Sequence, residues 1–456
     1  MSIASELQGL LGHDIVADDA ETLAAHSGDK WFAAQEPEVV VFAQSTADVS
    51  KLLKFASREK IPVTARGAGF GYVGGCVPVK RGIALSLARM NRIKEISFAD
   101  AIAIAEPGVI TAELQAKTRE QKLFYPPDPA SLHDCTIGGN VATNAGGPRC
   151  LKYGVTRNYV IGLEIVLANG AVLRTGGRVH KNKTGFNLIG LFVGSEGMLG
   201  IVTEITVRLL PYPPARATIS ASFATMSEAA ATVQAIFAAG FLPASMEIAD
   251  QFTLEAARAE CGESSIPPGS AHLLVDLDGQ SESVRSESVA LRELIARKEP
   301  HALSVATEEA DCERLWALRR QFSMSLRATG LTKLNQDIVV PRSRLVDLVQ
   351  FAQQLQRKHD LPVACFGHAG DGNIHVNIMT SNYVDPPVRK RVDAALDDLF
   401  AQVLAWGGVI TGEHGIGLAK KRWWPDATSE VSRSVHQQLK RVLDPDGILN
   451  PGKFLD

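Results

Sequence analysis

No Cys-x-x-Cys pair occurs in this 456-residue chain, and its six cysteines stand apart at 76, 135, 150, 261, 312 and 365. That scatter excludes a zinc-thiolate site and a disulfide framework, and it reads as free, buried, reduced thiols. No apolar run is long enough to span a bilayer. The start, Met1-Ser-Ile-Ala-Ser-Glu-Leu7, lacks the basic and apolar regions of a secretory leader. The expected location is the cytoplasm, including the periphery of a membrane. Positive charge is not in excess either: the formal net charge is −3, which argues against a nucleic-acid partner, and a basic run such as Lys420-Lys-Arg422 reads as a solvated helix face. Internal repeats and low-complexity segments are missing. What remains, 45% hydrophobic and 21% charged, is an ordinary globular composition, too long for one core, so two or three domains are expected.

What is present points to chemistry. Phe366-Gly-His-Ala-Gly-Asp-Gly-Asn-Ile-His-Val-Asn377 and Gly407-Gly-Val-Ile-Thr-Gly-Glu-His-Gly415 set three imidazoles and a carboxylate among glycines. His368, His375 and Glu413 make a usual ligand set for a catalytic divalent metal, zinc and manganese both suiting it. His414 is then free to move protons. A lone histidine is more often structural, and Gly-Asp-Gly is most often only a turn. The combination says more. Asn373-Ile-His-Val-Asn-Ile378 reads as a strand with Ile374, Val376 and Ile378 on one face, which puts Asn373, His375 and Asn377 together on the other. A polar row on a buried-looking strand lines a cavity.

Along the chain, Val39-Val-Val-Phe42 is a strand, Ser45-Thr-Ala-Asp48 a capping box, and Val49, Leu52, Leu53 and Ala56 the inner side of a helix stopped before Pro62. Strands follow near 83–87, 102–106, 161–168 and 201–209, with a tight turn at Asn169-Gly170. The cluster Pro211-Tyr-Pro-Pro214 marks a domain boundary. Beyond it strands at 217–223, 244–249, 271–277 and 302–306 alternate with helices, an order that resembles a ferredoxin-like domain. A helix over 314–326, a short edge strand Ile338-Val-Val-Pro341, and helices near 388–406 and 428–443 complete the reading.

Three glycine-dense segments remain. Arg66-Gly-Ala-Gly-Phe-Gly-Tyr-Val-Gly-Gly75 follows a strand but leads into no evident helix, which a Rossmann fingerprint requires. Bare glycine backbone still approaches a diphosphate closely and turns its N–H groups inward. Pro126-Pro-Asp-Pro-Ala-Ser131 with Thr136-Ile-Gly-Gly-Asn-Val-Ala-Thr-Asn-Ala-Gly-Gly147, and Gly194-Ser-Glu-Gly-Met-Leu-Gly-Ile-Val202, share that look. An extended dinucleotide threaded through one domain fits them, and flavin adenine dinucleotide is such a molecule.

From about residue 35 onward the chain resembles the FAD-linked D-2-hydroxyacid dehydrogenases of the vanillyl-alcohol-oxidase flavoprotein superfamily, the group of D-lactate, glycolate and D-2-hydroxyglutarate dehydrogenases. The resemblance rests on Tyr125-Pro-Pro-Asp-Pro129, Ile137-Gly-Gly-Asn-Val141, Lys183-Thr-Gly-Phe-Asn-Leu188, Gly194-Ser-Glu-Gly197, the two imidazole motifs, and Leu443-Asp-Pro-Asp-Gly-Ile-Leu-Asn-Pro-Gly-Lys453 in that order. It implies an α+β protein: a vanillyl-alcohol-oxidase-type FAD-binding domain over 1–212, made of two α+β subdomains, and a ferredoxin-like substrate (cap) domain over 213–410 carrying the metal motif. A helical C-terminal segment, 411–456, would pack back on the FAD domain.

Residue by residue, the resemblance makes 66–75 the pyrophosphate loop. Its cofactor contacts would be Arg66, Gly67, Ala68, Gly69, Phe70, Gly71, Gly74 and Gly75. Pro127, Asp128, Ser131, Gly138, Gly139, Asn140, Thr143, Asn144, Gly146 and Gly147 would follow, then Glu196, Gly197, Ile201, Val202 and Asn450. His368, His375 and Glu413 match metal ligands, Asn377 a substrate contact, and His414 the catalytic base that also touches substrate. Arg319 falls where an arginine holds the substrate carboxylate, with Arg320 beside it as the other choice. No histidine lies in 66–75 and Cys76 is only adjacent, so FAD is expected to be non-covalent.

The implied reaction is FAD- and metal-dependent oxidation of a D-2-hydroxy acid to the 2-oxo acid. Hydride transfer to flavin N5 and initial C2-proton abstraction both remain open. Electrons would pass to an external quinone, cytochrome or electron-transfer flavoprotein, and a homodimer is in keeping with the group. Phe70 and Val73 stand where many members have Thr and Ser. Asn335 stands where hydroxyglutarate-selective members tend to have lysine, with Lys333 two residues back on the same face. D-lactate or glycolate is therefore the expected substrate and D-2-hydroxyglutarate the alternative. A flavin transferase or an electron-relay flavin subunit is the alternative of another class.

Overall fold

A computed structural model describes residues 2–262 and 266–455. The chain forms two compact units, one of Met1–Gly146, Val155–Tyr212 and Glu413–Asp456, the other of Gly147–Gly154 and Pro213–Gly412. Among the described residues no helix is long and apolar enough to cross a membrane.

In the first unit, Val39–Phe42, Ile83–Ser86 and Val63–Arg66 lie parallel in that order, with Val16–Ala17 antiparallel at one edge. The helix Thr46–Glu59 begins where Ser45 accepts the Asp48 N–H and Asp48 accepts the Gln44 N–H. It ends at Lys60, a left-handed residue just before Pro62. Val49, Leu52, Leu53 and Ala56 are fully buried, in one core with Val39, Val41, Val63 and Leu85. Cutting Leu53 back to alanine there would cost about 2–5 kcal/mol. After Arg66 the next regular element is the strand Ile83–Ser86, so the glycine loop leads into no helix. A five-stranded antiparallel sheet completes the unit, in the order 93–97, 102–105, 201–208, 160–166, 172–176.

The second unit is built on a seven-stranded antiparallel sheet. Ala302–Ala306, Ala215–Phe223, Ala271–Gly279 and Ser245–Ala249 give the ferredoxin-like strand order. Val363–His368, Asn373–Thr380 and Thr332–Val339 extend it. The edge strand runs eight residues, not the short stretch near 338 that the sequence suggests. Lys333, Asn335 and Asp337 alternate with Leu334, Gln336 and Ile338, and this polar face masks the strand in an apolar-pattern reading. Gly147–Gly154, expected with the first domain, clusters with the second because Lys152 Nζ and Tyr153 Oη bond Asp278 at 2.6 and 2.8 Å. Among the described residues no cysteine forms a disulfide; Cys135, Cys312 and Cys365 are buried as expected, whereas Cys261 is exposed.

Candidate active site

The second unit's sheet sets its polar row by register. Ile374, Val376 and Ile378 are fully buried on one face, while Asn373, His375 and Asn377 share the other. Across the next strand, His368 pairs with Asn373 and Phe366 with His375. The His368 and His375 rings meet edge to face, with centroids 5.4 Å apart. Asp337, directly opposite His375, takes the Gly412 N–H at 2.9 Å and the Thr411 hydroxyl at 3.1 Å. A Cβ at Gly412 would fall 2.5 Å from Asn373 Nδ2 and 2.8 Å from Val339 Cγ2, so any larger residue would displace those side chains. Glu413 is the next residue. One ligand atom from each of His368, His375 and Glu413 lies within 4.8 Å of the others. Two imidazoles and a carboxylate are a usual donor set for a divalent metal, so the chemistry of this cluster fits one.

Glu247, which the sequence reading passed over, sits on Ser245–Ala249 directly opposite His368. Its Oε1 accepts from His368 Nδ1 at 2.6 Å, which leaves Nε2 as the ring nitrogen available to a metal, and its Oε2 accepts from Arg319 Nε at 2.6 Å. Burial pushes this carboxyl up, yet His368 and Arg319 outweigh it and hold the group below its ordinary range. A glutamate inside an apolar strand, Ser-Met-Glu-Ile-Ala, was the available signal. Of the two adjacent arginines, Arg319 is the buried one, its guanidinium 5.0 Å from the centre of the Phe366 ring. Arg320 instead pairs with Glu313 at 2.8 Å.

Asn377 is fully buried. Its amide donates to the Ala364 and His375 carbonyls at 3.1 and 3.0 Å, while Oδ1 has no hydrogen-bond partner. Asn335, its cross-strand partner, likewise leaves Oδ1 buried and unbonded. Two orphaned acceptors side by side suit a ligand that brings a donor. Lys333 shares that face and donates to Ser323 Oγ at 2.6 Å.

The first unit gathers the glycine segments. A Cβ at Gly67 would lie 2.5 Å from Thr136 Oγ1, and the Gly194 and Glu196 N–H groups bond the Val141 and Ala142 carbonyls at 2.8 Å each. Asn450 ties two of these segments together, donating to the Gly75 and Glu196 carbonyls at 3.0 and 2.7 Å, while its own buried Oδ1 is unbonded. Part of the second glycine segment is the helix Ile137–Thr143, with Gly138 and Gly139 in its first turn. Helical spacing turns Asn140 inward, its Nδ2 on Thr111 Oγ1 at 2.7 Å, and Asn144 caps the helix and accepts the Arg157 N–H at 2.8 Å. One polar atom of each amide is thus engaged within the protein.

Arg66 folds back under its own loop to the Gly28 carbonyl and Cys76 Sγ. Gln115 Nε2 fixes the Pro127 carbonyl at 2.8 Å, another contact unforeseen from sequence. Burial raises the Cys76 thiol to about 11.

His414 lies against Tyr72 from the glycine loop, and its Nε2 is 3.7 Å from Glu413 Oε1. Behind it Glu196, expected on the cofactor, accepts the Ile416 and Gly417 N–H groups at 2.8 and 2.9 Å. Gly415 has φ +85°, and a Cβ there would meet Glu196 Oε1 at 2.7 Å. Lys420, expected on a solvated face, is buried and acts electrostatically on Glu196.

Residues 37–176 match the FAD binding domain family, and residues 212–454 match the family described as FAD linked oxidases, C-terminal domain. The chain is 38% identical over 419 residues to glycolate oxidase subunit GlcD of Bacillus subtilis, covering 92% of this chain and 89% of that protein. It is 32% identical over 447 residues to D-lactate dehydrogenase of Anaerostipes hadrus, covering 96% and 94%. Among solved structures, p-cresol methylhydroxylase with substrate bound superposes with a TM-score of 0.81 at 21% identity, covering 99% of this chain and 96% of that one. That likeness is one of fold: the vanillyl-alcohol-oxidase-type FAD-binding architecture, in an α+β protein.

Proposed function

The chain belongs to the FAD-linked D-2-hydroxyacid dehydrogenase family, and we propose that it oxidises a small D-2-hydroxy monocarboxylate, D-lactate first and glycolate next, with non-covalent FAD, a divalent metal and an external electron acceptor. FAD-dependent hydroxyacid oxidation itself follows from the family. The observation that carries the finer reading is the His368, His375 and Glu413 cluster, with its ligand atoms within 4.8 Å of one another.

His368, His375 and Glu413 would hold the metal, whose Lewis acidity eases loss of the substrate hydroxyl proton. FAD would lie along the glycine segments around 66–75, 136–147 and 194–202, and it supplies the two-electron acceptor. Arg319 has its Nε committed to Glu247, which leaves its terminal nitrogens for charge-assisted hydrogen bonds to the substrate carboxylate. Asn377 offers Oδ1 as an acceptor, its NH2 being already engaged. His414 takes the hydroxyl proton as general base, its ring steadied by the Tyr72 stack. The acceptor is a quinone, a cytochrome or an electron-transfer flavoprotein.

The test is anaerobic mixing with D- and L-hydroxy acids, together with metal analysis of His368→Ala and Glu413→Ala. Flavin bleaching by D-lactate, and variants that lose metal and most turnover while keeping the flavin spectrum, are expected. Bleaching by L-isomers alone, or metal-free variants with turnover within a few-fold of native, would sink the reading.

A further inference from the structure

We infer that Glu247 is a positioning residue that sets His368 and Arg319 with one carboxylate, so that the metal ligand and the substrate-binding arginine are oriented together. The inference rests on the metal reading above and goes beyond it.

An imidazole held by an acceptor at Nδ1 carries its proton there and has its lone pair at Nε2. Glu247 Oε1, 2.6 Å from His368 Nδ1, imposes that tautomer, and the antiparallel register that places Glu247 opposite His368 fixes both backbones. On its other oxygen, Arg319 Nε at 2.6 Å fixes the plane of the guanidinium. Phe366 and Phe322 pack near that plane, with ring centres 5.0 and 5.9 Å from Arg319 Cζ. Glu247 is 1% exposed and Arg319 9%, in an apolar neighbourhood that includes Phe322, Phe366 and Ala249. An arginine left there without its carboxylate would be an uncompensated buried charge beside a bound cation.

Glutamine cannot replace this glutamate, although it has the same shape. Both neighbours present N–H donors, and an amide has one acceptor oxygen while its nitrogen is itself a donor. One contact of the two must therefore be lost. A glutamate that merely filled the core would tolerate the exchange.

The experiment uses the FAD-loaded full chain, with Zn²⁺ or Mn²⁺ alone as the metal probe in a chelator competition. Glu247→Gln should weaken metal binding by about 10- to 100-fold and raise KM for the hydroxy acid, with flavin content unchanged. Arg319→Met should raise KM while leaving metal affinity within about threefold, since it breaks only one arm. Metal affinity and KM both native-like in Glu247→Gln would overturn the inference alone. A native chain that takes up no metal would overturn the metal reading and this inference with it. Should Glu247→Gln fail to fold, nitrogen-15 imidazole spectra of the native protein decide. His368 protonated on Nδ1 supports the inference; protonation on Nε2 overturns it.

Discussion

Tyr72 stacks on His414, ring centroids 5.3 Å apart and planes 29° from parallel, which brings the glycine loop against the proposed general base. His414→Gln should slow anaerobic flavin reduction by about 10²- to 10⁴-fold without loss of flavin, the usual contribution of a positioned base. Tyr72→Phe keeps the stack and should stay near native. Tyr72→Leu removes a contact of about 0.5–1.5 kcal/mol and should slow reduction by about two- to tenfold. Stopped-flow absorbance checks all three. A His414→Gln rate within a few-fold of native would remove the residue from the reaction.

Flavin should be released by acid precipitation and leave a colourless pellet. The nearest thiol to the glycine loop, Cys76, is held by burial at about 11, so it carries almost no thiolate at neutral pH. It also sits against the Arg66 guanidinium, 3.4 Å from NH1. Cys76→Ala is expected to keep a full flavin complement. Yellow colour in the washed pellet of the native protein, lost in Cys76→Ala, would establish a covalent tether instead.

Lys333 gives a pH signature. Burial, and secondly Arg327, lowers its ammonium from the ordinary 10.5 to about 7. Between those values the unfolded chain binds a proton that the folded chain does not, so stability rises with pH. The penalty for a buried ammonium is complete below about 7, shrinks as pH rises, and is gone above 10.5. Denaturant unfolding from pH 7 to 10 should show native protein gaining stability relative to Lys333→Met. Parallel curves would mean that the ammonium is well solvated.

The sequence was most legible where periodicity and chemistry coincide. Asn373, His375 and Asn377 fall on one face of a strand whose other face is purely apolar, so period two placed them correctly. Ser45, Asp48 and Pro62 bounded their helix for local reasons that sequence carries directly. Glu247 was not legible, because its meaning depends on His368, 121 residues away, becoming its cross-strand neighbour. At Glu196 the hidden part was the partner of its carboxylate, which is engaged by backbone N–H groups 220 and 221 residues on. The helix that carries Asn140 was hidden for a nearer reason. Glycines at 138 and 139 disguised the first turn of a helix as a loop, and Thr136 was its cap.

The substrate preference proposed above rests on the same face. Asn335 presents an amide where a second carboxylate would need a cation, and Lys333 directs its ammonium to Ser323 Oγ and the Ser323 carbonyl. Burial also lowers the pKa of that ammonium to about 7, which weakens it as a cation for a second carboxylate. A distal carboxylate placed against this face would lose hydration without gaining a full partner, at a cost on the order of 1–3 kcal/mol. D-lactate and glycolate should therefore reduce the flavin about 10- to 100-fold more efficiently, in kcat/KM, than D-2-hydroxyglutarate. Asn335→Lys should narrow or reverse that ratio by improving the dicarboxylate and leaving D-lactate within a few-fold. Native protein that prefers D-2-hydroxyglutarate would refute the monocarboxylate reading. If Lys333→Met then abolished that preference, Lys333 would be the partner that Asn335 does not supply.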